Sequence, residues 1–208
     1  MQARGNGGMI GGNGSLGNGG HLDNIVGYSN KFGPVSIVGG IVMDEQNTGG
    51  ANSANHGYAV RAEMSLADVG VWVAATNANK YGAAAGENNK NNATKIGADY
   101  KFGDFRVMAQ MENLETKTAA ALTSTKSRLM MGQVSYTMGA NTIVASLGQT
   151  DVENSAADTS YMAVGVRHAF SRQVSVHAGY RATERKNAAN TSNGWKESAI
   201  GAGLRVGF

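Results

Sequence analysis

The chain has 208 residues, with 30 glycines, one proline, no cysteine, a formal net charge of +3 and a mean hydropathy of −0.28. That length suits one domain, and the lack of cysteine excludes a disulfide scaffold and thiolate metal sites. Glycine at about twice its usual share of roughly 7% argues against a helical protein, no run of 18 apolar residues can form a transmembrane helix, and scattered Lys and Arg exclude a nucleic-acid footprint.

Residues 1–20 are rich in Gly and Asn and read as a loop or tail. Gly12-Asn-Gly-Ser-Leu-Gly17 has the GxGxxG spacing. More glycine precedes it and Asn18-Gly-Gly20 follows, so the strand before and the helix after that a dinucleotide site needs are missing. The opening residues carry no apolar core segment, so the sequence reads as a mature form, a fragment or an engineered start.

From residue 21 to 208 the pattern is regular. Eleven strands are expected, at 21–29, 34–43, 56–66, 70–78, 93–102, 105–114, 127–138, 142–150, 159–170, 173–183 and 197–208. Most alternate apolar and polar residues, the period-two signature of a strand. Tyr58, Val60, Ala62, Met64 and Leu66 alternate with Ala59, Arg61, Glu63 and Ser65. Ile200, Ala202, Leu204, Val206 and Phe208 alternate with Ala199, Gly201, Gly203, Arg205 and Gly207. The 70–78 segment is ambiguous, because Trp72 competes with Val71 and Val73 for the apolar face.

The connections alternate too. Short turns at Asn30–Gly33, Ala67–Val69, Gly103-Asp104, Gly139–Asn141 and Ser171-Arg172 separate longer polar loops at 44–55, 79–92, 115–126, 151–158 and 184–196. One trimmed end and one elaborated end describe an antiparallel up-and-down transmembrane β-barrel, with its loops outside and its turns in the periplasm. Phe32, Phe102, Phe105, Phe170 and Phe208 all lie beside a short turn or at the last strand's end. They are candidate membrane-interface residues, with Tyr58, Tyr161, Tyr180 and Trp195 as a second belt near the long loops.

Three stretches resemble one family. Asp23-Asn-Ile-Val-Gly-Tyr-Ser-Asn-Lys-Phe-Gly-Pro-Val35 is similar to the "NSVRYDSPxFxG" stretch of the general porins of β-proteobacteria and Neisseria. Ala163-Val-Gly-Val-Arg-His-Ala-Phe-Ser-Arg-Gln-Val-Ser-Val-His-Ala-Gly-Tyr180 resembles that family's penultimate hairpin, and Gly201-Ala-Gly-Leu-Arg-Val-Gly-Phe208 its closing strand. Gly27 and Lys31 depart from the family's usual arginine and proline. The resemblance implies a 16-stranded trimeric barrel in the bacterial outer membrane, of which the chain holds the part after the constriction loop, with residues 1–20 as that loop's tail. It also implies contact with membrane lipid and lipopolysaccharide, and handling by the barrel assembly machinery through the C-terminal strand.

Parity turns Arg61, Glu63, Lys95, Asp99, Lys101, Arg106, Glu112, Arg167, His177, Arg181 and Arg205 away from lipid, as candidate pore-lining residues. Cations outnumber acids among them, so the expected function is passive diffusion of small hydrophilic solutes with a mild anion preference. Arg128 falls instead on the lipid side, in reach of the headgroups. His21, His56, His168 and His177 show no metal-ligand spacing, and no carboxylate pair is marked for hydrolysis. No catalytic residue, metal or cofactor is expected. The alternatives are a smaller, plugged barrel of adhesin or structural type working through its loops, the translocator of an autotransporter, and a soluble all-β binding domain.

Overall fold

In the computed structural model, the described residues are 25–43, 57–79, 90–117, 124–153, 158–185 and 195–207. They form eleven strands: β1 (Ile25–Phe32), β2 (Val35–Val42), β3 (Gly57–Leu66), β4 (Val69–Asn79), β5 (Lys90–Phe102), β6 (Phe105–Lys117), β7 (Thr125–Met138), β8 (Asn141–Val152), β9 (Thr159–Ala169), β10 (Val174–Arg185) and β11 (Trp195–Val206). All belong to one antiparallel sheet whose order follows the chain from β1 to β11. Among the described residues, β1 and β11 are its two edges and do not pair with each other. Most strands have 10 to 14 residues, long enough to cross a bilayer at a tilt, which takes about 9–11.

Four hairpins close through two residues, of which the first has positive φ: Gly33 (59°), Ala67 (49°), Gly103 (55°) and Gly139 (56°). Positive φ at the first central residue is the mark of the II′ turn, whose twist matches that of paired strands. Glycine meets the requirement at three of them, and Ala67 meets it with a Cβ in the way. The first turn is tighter than expected. Asn30 and Lys31 remain in the ladder opposite Ile37 and Ser36, leaving Gly33-Pro34 as the whole connection.

At the other end the ladders run further than hydropathy indicates. Glu115 pairs with Lys126 and Thr116 with Thr125, inside the expected 115–126 loop. Backbone hydrogen bonds need no apolar side chains, so a strand continues after its alternation has faded. The tips of the expected long loops, the Gly12–Gly17 motif, His21, His56 and Phe208 lie outside the described residues.

Directly opposed residues share a face, so the register assigns every side chain. One row runs Met64, Val71, Ala98, Ala109, Gly132, Leu147, Met162 and Ala182 from β3 to β10, and it is apolar throughout. Its face is extensively exposed, with Leu147 at 68% and Ile200 at 85%. The opposite, inward face holds the core: Trp72, Met108, Leu129, Tyr161 and Ala163, with Lys95, Asp99, Glu112 and Ser146 buried among the polar groups. Hydrophobic residues on the outside and buried charges on the inside invert a soluble protein and match a lipid-facing sheet.

The register resolves the ambiguous segment. Val71 and Val73 face outward, and Trp72 faces inward, 1% exposed. It lies over Gly97 on β5, where a Cβ would fall within the indole ring. Tyr161 corrects the aromatic pattern: it belongs to the inward face and is 3% exposed, not part of an outer belt. Placed directly opposite Thr183, it follows its strand's parity rather than its nearness to a loop.

Candidate functional site

The eleven candidate residues all fall on the inward face by register, distributed over β3, β5, β6, β9, β10 and β11. Their charges are arranged in pairs. Arg61 Nη2 donates to Glu63 Oε2 at 2.6 Å, two residues along one strand. Lys95 and Glu112 are directly opposed on β5 and β6, with Nζ 3.1 Å from Oε2 and side-chain exposures of 1% and 2%. Arg106 donates from Nε and Nη2 to Asp99 Oδ1 at 3.1 and 2.9 Å, diagonally across the Gly103-Asp104 turn. Arg181 Nη2 donates to Glu197 Oε1 at 2.8 Å. Glu197 is a fourth inward acid that the sequence reasoning passed over, although its parity with Ala199 on β11 marks its face.

These pairs divide the site in two. Around Lys95, Glu112, Trp72 and Gly97 the inward face is closely filled. Burying a charge pair requires a close counter-charge, which the direct β5–β6 register supplies, although the buried Lys95 Nζ makes no hydrogen bond among the described residues. Towards the short turns the balance changes. Lys101, Arg167 and Arg205 have no ion pair among the described residues, and Lys31 joins them on the same face. Lys101 stands directly opposite Arg106, a like-charge pairing that destabilises a sheet unless something offsets it. Asp99 offsets the Arg106 side.

Lys101, Arg106 and Arg167 line a concavity of about 690 Å³ at this end, together with Gln133, Ser135 and Thr142. Asp99 and Asp104 line it as well, so three cations share the concavity with two carboxylates, one of which is paired with Arg106. His177 is directly opposite Arg167 and covers Gly203, where a Cβ would come 2.7 Å from the imidazole. His168 faces outward instead, with Nδ1 2.8 Å from Asn141 Oδ1. The two imidazoles therefore lie on opposite faces of one hairpin.

On the outward face, Tyr100, Phe102, Phe105 and Tyr136 form a continuous ring row beside the short turns, with centroids 5.8, 5.5 and 4.6 Å apart. Phe170 packs edge-on against His168 at 4.7 Å, and Phe32 is 54% exposed opposite Val35. Arg128 is also outward, between Asn113 on β6 and Asp151 on β8.

The sheet has close structural relatives. The anion-selective porin from Comamonas acidovorans superposes with a TM-score of 0.74 at 17% identity, over 90% of this chain and 60% of that one. A loop L8 deletion mutant of OmpT, an outer membrane protein of Vibrio cholerae, gives 0.71 at 16% identity, over 95% and 68%. OmpF of Salmonella typhi, in complex with daunomycin, gives 0.56 at 14% identity, over 88% and 61%. The chain thus spans less than two thirds of the length of the Comamonas porin. No curated protein matches it by sequence. The Gram-negative porin family matches residues 2–188. The chain belongs to the Gram-negative porin family, and its strands are those of a bacterial outer-membrane β-barrel.

Proposed function

We propose that the protein is an outer-membrane porin, not an enzyme, passing small hydrophilic solutes and ions by passive diffusion with a mild preference for anions. It needs no cofactor and works as a homotrimer in its full-length form. The observation that carries the selectivity is the set of inward cations near the short turns left over after pairing among the described residues: Lys101, Arg167 and Arg205, with Lys31. Paired charges largely cancel at a distance, whereas unpaired ones beside a low-dielectric wall raise the local anion concentration. The test is the reversal potential across a planar bilayer under a potassium chloride gradient. A potential of the anion-selective sign supports the reading, and cation selectivity refutes it.

One observation favours a second reading, a barrel that does not conduct and works through its external loops. The inward face around Trp72, Lys95 and Glu112 is as closely filled as a plug would require. Single-channel recording separates the two. Ohmic steps support the porin; silence from protein that migrates as a folded, heat-modifiable barrel supports the loop-working barrel.

A further inference from the structure

The open cations near the short turns are lysines and arginines, whose charge does not vary around neutral pH. A histidine stands among them. His177 lies on the inward face of β10, in a register row that runs Thr142, Arg167, His177 and Gly203 from β8 to β11. Arg167 is its direct neighbour on β9, where opposed Cβ atoms are about 4.5–5.5 Å apart. Arg205 is its diagonal neighbour on β11, two residues beyond Gly203. All three side chains are exposed on that face.

Glycine decides where the ring rests. Gly203 has no Cβ, and the imidazole takes that space: a Cβ there would stand 2.7 Å from both Cε1 and Nε2. The next inward row, Gly165, Gly179 and Gly201, is bare as well. The ring is therefore uncovered, and it makes no hydrogen bond or ion pair among the described residues. His168, on the outward face of the same hairpin, is instead held by Asn141.

The charges around His177 are almost all of one sign. On the inward face, β9 contributes Arg167 and, six residues away, the phenol of Tyr161. From β11 come Arg205 and Glu197, and from β10 itself Arg181 and Arg185. The β9–β10 turn adds Arg172. Glu197 is the sole inward acid of β8–β11 among the described residues. It is six residues from Gly203, about 20 Å along the strand, and it accepts a hydrogen bond from Arg181. Asp99 and Asp104 share a concavity with Arg167, but His177 does not line it. A charge gained by His177 thus adds to the neighbouring cations and is not cancelled on its own strands.

We propose that His177 is a specificity-determining residue of the channel, through which the ion preference depends on pH. Histidine changes charge between about pH 5 and 8, so acidification adds a positive charge between Arg167 and Arg205 and strengthens the preference for anions. The inference rests on the porin reading and deepens it, by naming the inward group whose charge varies.

The test is the reversal potential under a potassium chloride gradient centred near 0.1 M, measured at about pH 8 and about pH 5.5. In the wild type, the ratio of chloride to potassium permeability should rise about 1.5- to 2-fold on acidification, the effect of one screened charge roughly 10 Å from the ion path. His177→Gln should hold the ratio near its pH 8 value at both pH values, and His177→Arg near its acid value. His168→Gln, on the outward face, should respond as the wild type does. A heat-modifiable band verifies that each variant is folded. No rise in the wild type overturns the proposal, as does an undiminished rise in His177→Gln. Cation preference at both pH values, with a rise that His177→Gln abolishes, refutes the anion preference and supports the role of His177. A folded, inserted chain that never conducts refutes the porin reading and this role with it.

Discussion

Replacing Lys95 with Met leaves Glu112 without its lysine on a face where both side chains are almost wholly buried. At 3.1 Å and an effective dielectric of about 20, the attraction between them is on the order of 5 kcal/mol, and it offsets a desolvation penalty of similar size. Removing one partner keeps the penalty and loses the offset, so Lys95→Met and Glu112→Leu should each destabilise by about 3–5 kcal/mol. The double variant removes both charges and should fall within about 1–2 kcal/mol of wild type, or exceed it. The assay is urea unfolding of the protein folded in lipid vesicles, followed by tryptophan fluorescence; Trp72 is in the adjoining register row, beside Gly97. Single costs below about 1 kcal/mol that simply add in the double variant would refute the reasoning, because they would mean that water reaches the pair. The double variant should also keep the wild-type reversal potential, since the pair it removes is neutral as a whole.

Three other substitutions probe the remaining arguments. Ala67→Gly should stabilise by about 1 kcal/mol, because Ala67 has a φ of 49° that glycine adopts without strain; an unchanged or lower unfolding midpoint would contradict this. Gly97→Ala puts a methyl group into the space of the Trp72 ring and should cost about 1–3 kcal/mol with a red shift in emission, while an unshifted spectrum would show that the indole does not rest there. Lys101→Ala and Arg167→Ala should each move the reversal potential towards cation selectivity, and their combination further; no movement would remove these cations from the selectivity argument.

Much of this protein is legible in one dimension because a strand has a period of two. Alternation at Tyr58 to Leu66, or at Ala199 to Phe208, assigns two faces without reference to any other strand, and the exposure of Leu147 and Ile200 agrees. The segregation of short turns from long loops orders the strands, because a two-residue connection permits little but an antiparallel neighbour. Even the outward position of Arg128 follows from parity alone.

The pairing of charges is another matter. Arg61 and Glu63 are two residues apart, so their contact can be read from a single strand. Lys95 with Glu112 and Arg181 with Glu197 are each more than fifteen residues apart, and they meet only because the register brings them together. Trp72 could have claimed either face of its strand; Gly97, contributed by the next one, leaves the space that its indole occupies. Local alternation is a property of one chain segment and its covalent geometry, so the sequence alone determined the strand order and most of the faces, the Trp72 strand excepted. Which charges cancel and which cations stay open at the short-turn end depend on neighbours brought alongside by hydrogen bonding, and only the tertiary structure decided them.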